Sequence, residues 1–239
     1  MNQDTSSPNE PLRLVVISAG VSDPSSTRRL ADQIAQKTID QLGEADIPAT
    51  LGIIELAPLA VDIARSIVAS PQSAEVKAAI DLLTRADGII AATPVYKAGL
   101  SGLFKSFIDL LDNDLLIAKP VVLAATGGSS RHAMAVDVQM RPLFAYLRAL
   151  PVPTSVFAGP EDWGATEFGS RIDRAAGELT ELVCSGVGRS IAAAGRDGEQ
   201  HRFAGNARHM RRTPLDVDFD AELERLSAGC TLPSEVDES

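Results

Sequence analysis

Three short segments of the chain carry side chains that could do chemistry, and each comes at the end of an apolar run. The first is rich in hydroxyl groups, and its candidate binding residues are Ser18, Ser25, Ser26 and Thr27. A helical pattern starts there, and the first amides of a helix offer unpaired N–H groups and a partial positive charge. The segment predicts a site for one monophosphate, with ordinary helix capping as the alternative.

The second segment follows the apolar residues 88–90, and its candidate binding residues are Thr93, Pro94, Val95, Tyr96 and Lys97. Proline fixes φ and has no N–H group, while tyrosine offers a flat ring with a polar tip. Such a loop is suited to contact a planar ligand with polar edges. A tight connection with a surface tyrosine is the alternative, because proline and glycine are common in loops.

The third segment contains Thr126, Gly127 and Gly128, directly after an apolar run at residues 119–126. Glycines allow close approach of the backbone, so that N–H groups can reach the rim of a planar ring. A simple glycine-rich turn is the alternative. The chain contains neither the phosphate-binding Gly-x-x-x-x-Gly-Lys pattern nor the dinucleotide-binding Gly-x-Gly-x-x-Gly pattern.

Apolar runs that alternate with helical patterns position these segments. The alternation predicts an α/β fold: a five-stranded parallel sheet in the flavodoxin-like order 2-1-3-4-5, with helices on both faces. The strands are predicted at residues 12–18, 49–56, 88–93, 119–126 and 152–157. The helices are predicted at residues 25–43, 73–85, 100–111, 134–150 and 169–184, with a kink or break at Pro142 and mostly irregular structure at 57–70.

In this strand order, strands 1, 3 and 4 are neighbours, and their carboxyl ends share the edge of the sheet where ligands bind. The three segments should therefore meet at one site. A monophosphate site, a wall of Pro94, Val95 and Tyr96 and a glycine rim together match the shape of FMN. The segments thus predict FMN as the ligand.

Composition narrows the possible functions. The chain has 239 residues and a formal net charge of −10, which disfavours nucleic acid and anionic membrane surfaces as partners. Residues 1–11 carry no signal-peptide pattern, and no apolar run has membrane-spanning length. Cys184 and Cys230 are expected as free thiols, which favours a cytoplasmic location. The three histidines form no metal-binding pattern.

Three regions are predicted along the chain. Residues 1–11 are predicted to be a disordered N-terminal segment, the lead-in, and residues 12–185 are predicted to form the flavodoxin-like domain. Residues 186–239 read as a C-terminal extension that is partly disordered or docks onto the domain or a neighbouring subunit.

The region from residue 12 to 150 resembles the NADPH-dependent FMN reductase family. The resemblance rests on Ser18 with the Pro-Ser-Ser-Thr run at 24–27, the Ala-Ala-Thr-Pro-Val-Tyr-Lys run at 91–97, the Ala-Thr-Gly-Gly run at 125–128, and the region from His132 to Pro142. It is especially similar to the members that supply reduced flavin to two-component monooxygenases. Family members often carry an arginine where this chain has Asp23, and Arg28 and Arg29 stand nearby as substitutes.

The resemblance implies that Ser18, Ser25 and Thr27 hold the FMN phosphate. It implies hydride transfer from NADPH or NADH to the flavin, a homodimer or homotetramer, and a flavin-dependent monooxygenase as partner. Because the cofactors carry this chemistry, no catalytic side chain is expected. Two alternatives stay open: a reductase of quinones, azo dyes or metal ions that retains FMN, and a non-enzymatic flavodoxin-like electron carrier.

Overall fold

The sheet of this protein is built around a strand that is buried on both faces. A computed structural model describes residues 10–69 and 71–194. The strands are β1 (Leu12–Ser18), β2 (Ala49–Glu55), β3 (Gly88–Tyr96), β4 (Gly99–Leu100), β5 (Pro120–Thr126), β6 (Leu150–Pro151) and β7 (Val156–Ala158). Every residue of β3 except Tyr96 is buried, as expected for a central strand of a parallel sheet covered by helices.

Helices cover both faces of the sheet. They are α1 (Ser26–Glu44), α2 (Leu56–Val68), α3 (Ala74–Thr84), α4 (Gly102–Ile108), α5 (Arg141–Tyr146), α6 (Thr166–Ser185) and α7 (Val187–Ala194). Apolar side chains of α1 and α6 fill the core on one face, and those of α2 to α5 fill the core on the other. No helix within residues 10–69 and 71–194 is both long and apolar enough to cross a membrane.

The sheet has seven strands, so the prediction of five strands in the order 2-1-3-4-5 is wrong. The main order is β2-β1-β3-β5, and β6 and β7 both pair with β5 in parallel. Of the last strand, predicted at 152–157, only Val156 and Phe157 are in a strand, in β7; β6 precedes the predicted range. The two-residue strand β4 adds an antiparallel pairing to the end of β3.

Two helical regions also differ from the prediction. Residues 57–70 were expected to be irregular because of Pro58, but α2 occupies most of them. Pro58 lies in the first turn of α2, where its missing N–H group costs nothing. The single helix predicted at 134–150 is broken, as its proline suggested: a π-helical segment, Val136–Met140, precedes α5, and Pro142 lies in the first turn of α5.

The ends of β1, β3 and β5 are level with one another, which positions the three segments. Ser18 pairs with Ala92, and Pro94 pairs with Thr126. The predicted lead-in at 1–11 and extension at 186–239 lie mostly outside the described residues, and α7 is the described start of the latter.

Candidate functional site

A cleft of about 450 Å³ lies at the carboxyl ends of the central strands, within the size range of small-molecule sites. We call it the sheet-edge cleft. All three predicted segments contribute to it, together with a fourth loop that follows β7. Its lining residues are Gly20, Val21, Ser22, Ser26, Thr27, Pro94, Val95, Tyr96, Thr126, Gly127, Gly128, Ala158, Pro160 and Trp163.

The start of α1 forms one wall of the cleft. The hydroxyl of Ser25 caps the helix by accepting the Arg28 N–H group at 3.1 Å. The amides of Ser26 and Thr27, in the first turn, precede the intrahelical hydrogen bonds and are available to a ligand. Gly20 makes this capping possible, because a Cβ at that position would lie 1.9 Å from Ser25 Oγ.

A hydroxyl–hydroxyl contact joins the first segment to the third. Thr27 Oγ1 lies 2.7 Å from Thr126 Oγ1, and both residues are buried. Because the two residues are 99 positions apart in the chain, this hydrogen bond fixes the start of α1 against the end of β5. It leaves each oxygen with further hydrogen-bonding capacity.

The second segment forms a hairpin that presents Tyr96 at the cleft with 52% of its surface exposed. The turn consists of Lys97 and Ala98, with φ of 51° and 64°, a conformation that side chains other than glycine rarely adopt. Gln139 stabilises the turn from the π-helical segment. Its Nε2 donates to the Ala98 carbonyl at 2.7 Å, and its Oε1 accepts the Leu100 N–H group at 3.1 Å.

The third segment is close-packed at Gly127 and open at Gly128. The Gly127 N–H group donates to the Ala158 carbonyl at 3.1 Å, so this amide is already used within the protein. A Cβ at Gly127 would lie 2.9 Å from Phe157. At Gly128 a Cβ would meet no atom within 4 Å, which leaves room for a ligand beside the backbone.

The fourth loop, after β7, was not predicted from the sequence. It contributes Ala158, Pro160 and the half-buried Trp163 to the cleft. The Gly159 N–H group donates to Asp162 Oδ2 at 2.7 Å, which orders the turn. A signal existed in the sequence: Gly159 and Pro160 follow the last apolar run, and the single tryptophan of the chain stands three residues after Pro160.

Eight of the twelve predicted binding residues line the sheet-edge cleft, and four do not. Ser18 and Ser25 line a neighbouring cavity instead. Thr93 is completely buried, where its hydroxyl donates to the Pro94 carbonyl and accepts the Ser101 N–H group. Lys97 lies in the hairpin turn, outside the lining of the cleft.

Three cationic side chains near these loops already have partners. Arg28 donates to Asp32 at 2.7 Å and to Glu55, and the Asp32 hydrogen bond contributes most to raising its pKa. Arg29 lies over the ring of Trp163, 4.7 Å from its centroid. Arg141 binds Asp137 and the carbonyl groups around Pro153. Within the described part of the chain, no cluster of three or more potential ligands could hold a metal ion.

A family model described as NADPH-dependent FMN reductase matches residues 12–164. The chain belongs to this family. An FMN reductase (NADPH) from Pseudomonas aeruginosa is 37% identical over 153 residues, which is 64% of this chain and 80% of that protein. The NADH-dependent FMN reductase SfnE from Pseudomonas putida is 38% identical over 148 residues, covering 62% and 77% of the two chains.

Solved structures agree with the fold of this family member. An oxidoreductase from Corynebacterium diphtheriae matches with a TM-score of 0.71 and 42% identity, over 73% of this chain and 98% of that one. A flavodoxin, WrbA-like protein from Agrobacterium tumefaciens matches with a TM-score of 0.50 and 17% identity, over 76% and 99% of the chains. The fold is therefore flavodoxin-like, as the alternation of strands and helices predicted.

Proposed function

We propose that the protein transfers a hydride from NADPH or NADH to FMN, and that the sheet-edge cleft is the flavin site. The proposal rests on one observation: the hydroxyl-rich start of α1, the hairpin with Tyr96 and the glycines at 127 and 128 all line one cleft. Relatives named as NADPH- and NADH-dependent FMN reductases support it.

The residues of the cleft fit FMN. The amides of Ser26 and Thr27 and the hydroxyls of Ser22 and Ser26 would hold the phosphate, since helix starts bind anions. Pro94, Val95 and Tyr96 would contact the ring, and the open backbone at Gly128 would take its edge. Of the predicted phosphate residues, Ser25 would act indirectly, by capping the helix whose amides bind the ligand.

Bound FMN would supply the ring that accepts the hydride. The protein's part is to orient the flavin and to keep one ring face accessible to the nicotinamide. The cofactors carry the hydride chemistry. No protein group is therefore assigned a proton-transfer role.

We further propose that the flavin leaves as a reduced product and reaches a flavin-dependent monooxygenase. The half-exposed Tyr96 and the position of the cleft at the surface favour exchange of flavin with solvent. The experiment is an NAD(P)H oxidation assay with and without added FMN. Catalytic dependence on added FMN by a colourless protein is the expected result.

The alternatives give different results in the same assay. A yellow protein that oxidises NAD(P)H with menadione, an azo dye or a ferric salt but without added flavin would be an FMN-retaining reductase. A protein that binds FMN and oxidises neither NADH nor NADPH would be an electron carrier. Either result would contradict the proposed function.

The protein is also proposed to form a homodimer or homotetramer through a surface beside the cleft. Tyr96, Met134, Val138 and Tyr146 are large apolar residues with half or more of their surface exposed, and Gln139 connects their two segments. Val138→Glu should therefore shift the protein to smaller species in analytical ultracentrifugation. Val61→Glu, at an equally exposed valine on α2, should leave the assembly unchanged; equal effects would contradict this assignment.

The domain limits and location are likewise proposals. Residues 12–185 are taken as the flavin-binding domain because the packed strands and helices α1 to α6 lie within them. A cytoplasmic location suits the free thiol of Cys184.

A further inference from the structure

A second cavity of about 790 Å³ adjoins the sheet-edge cleft, and its use is not explained by flavin binding. The two share one wall, formed by Gly20, Val21 and Ser22. The rest of the second cavity is formed by the outer side of α1 and by the junction of β2 with α2. A ligand that extends beyond the flavin could therefore reach from one site into the other across a single loop.

The charges that line the second cavity disfavour the binding of a highly charged anion. Its lining includes Arg28 and Arg29 but also three carboxylates, Asp23, Asp32 and Glu55. The guanidinium of Arg28 donates to both Asp32 and Glu55, and Arg29 lies over Trp163. The formal charge of the lining is thus negative, and both of its arginines already have partners.

Two features of the cavity suit a nucleoside. Glu55 ends β2, and a carboxylate there can accept hydrogen bonds from the hydroxyl groups of a ribose. Gln33 also lines the cavity, and its half-buried side-chain amide can both donate and accept hydrogen bonds. The amino group and ring nitrogens of adenine offer the matching donor and acceptors.

We propose that the second cavity binds the adenosine end of the nicotinamide dinucleotide and that Asp32 and Glu55 make the protein select NADH over NADPH. The proposal rests on the proposed function, because it assumes a dinucleotide whose nicotinamide lies at the flavin. The two carboxylates act by occupying Arg28, so that a 2′-phosphate on the adenosine ribose meets negative charge and no free cation.

The test is to measure binding of ADP-ribose and of 2′-phospho-ADP-ribose to the whole chain by calorimetry, without flavin. The wild-type protein should bind ADP-ribose at least tenfold more tightly. The double variant Asp32→Asn, Glu55→Gln leaves Arg28 unpaired and should remove or reverse this preference. Asp173→Asn, which breaks the distant ion pair with Lys37, should leave the preference unchanged.

The outcomes separate this proposal from the proposed function. Equal binding of the two fragments to the wild-type protein, no binding of either, or a preference for the phosphorylated one would overturn the proposal. This comparison needs no variant, so a folding defect in the double variant cannot obscure it. FMN-dependent oxidation of NADH would still establish the reductase in that case. Selective fragment binding without any FMN-dependent oxidation would instead support the cavity assignment and contradict the proposed function.

Discussion

The two ends of the sheet each hold a cavity, and the two cavities differ in whether their polar groups are already satisfied. The amino-end cavity has a volume of about 320 Å³ and lies beside Asp87, Lys119 and α7. Lys119 Nζ donates to the carbonyls of Thr84 and Ala86 at 3.0 and 2.7 Å. Asp87 accepts the Arg13 N–H group at 2.9 Å and forms an ion pair with Arg189.

At the sheet-edge cleft the polar groups are uncharged and partly free. The amides that start α1, the hydroxyl of Ser26 and the backbone at Gly128 face a site that the protein does not fill. At the amino end, α7 closes against the body so tightly that a Cβ at Gly188 would lie 2.3 Å from the Ala118 carbonyl. The two cavities thus differ in their polar groups: those at the amino end are bonded to one another, and those at the cleft include donors that the protein does not use.

The largest expected effect comes from Gly20→Ala at the sheet-edge cleft. The new methyl group must displace Ser25, which costs both packing and the helix cap, about 2–4 kcal/mol in total. FMN affinity, followed by quenching of flavin fluorescence, should fall as well, because the displaced first turn of α1 no longer presents its amides to the phosphate. Gly43→Ala on α1 meets no atom within 4 Å and should leave FMN affinity unchanged. Equal losses of FMN affinity in both variants would show that the Ser25 cap of α1 does not contribute to FMN binding.

A somewhat smaller loss is expected from Tyr96→Ala. Removal of an aromatic contact with the ring should weaken FMN binding by about 1–3 kcal/mol. Tyr96→Phe should retain most of the affinity, because the ring rather than the hydroxyl is proposed to make the contact. An unchanged FMN titration for Tyr96→Ala would exclude this side chain from the site.

The opposite end of the sheet should respond in stability and not in ligand binding. Lys119→Met leaves the carbonyls of Thr84 and Ala86 without their donor, which should lower the free energy of unfolding by about 1–2 kcal/mol. FMN affinity should not change. A loss of FMN binding in this variant would contradict the separation of the two ends.

Lys119 also makes the free energy of unfolding depend on pH. Burial lowers the pKa of Lys119 below its ordinary value of 10.5. Between the lowered pKa and 10.5, the unfolded chain binds the proton and the folded chain does not, so stability rises with pH in this window. Urea titrations should show the wild-type protein gaining stability relative to Lys119→Met as the pH increases toward 10.5.

The smallest effect is the coupling between Thr27 and Thr126. A double-mutant cycle with Thr27→Val and Thr126→Val should give a coupling of about 0.5–1.5 kcal/mol in the free energy of unfolding. Additive losses would mean that the 2.7 Å contact contributes no stability. Because valine keeps the amide at residue 27 that is proposed to bind the phosphate, FMN affinity should change little in Thr27→Val.

The sequence predicted the parts of the site that depend on periodicity. Alternating apolar runs and helical patterns placed the ends of β1, β3 and β5 together, because parallel strands share one binding edge. Thr93 is buried and does not line the cleft, and composition does not reveal which hydroxyl of a loop turns inward. Its partner, the Ser101 amide, becomes a neighbour only when the hairpin closes.

The features that were missed depend on tertiary contacts. The turn at Lys97 and Ala98 contains no glycine, and the pairing of β3 with β4 and the hydrogen bonds of Gln139 stabilise it. Helix α2 was missed because Pro58 was interpreted as a breaker, although its place in the first turn is permissive. Trp163 has no periodic neighbours, and its role follows only from the position of the loop after β7.

The hydrogen bonds of Gln139 make the hairpin at Lys97 and Ala98 sensitive to chain length as well as to residue type. Gln139 reaches the hairpin only from its present register in the π-helical segment. A one-residue deletion between Val136 and Gln139 would turn the following side chains around the helix axis. The glutamine would then face away from Ala98 and Leu100. Insertions and deletions in the π-helical segment should therefore be tolerated poorly, even when the remaining residues are unchanged.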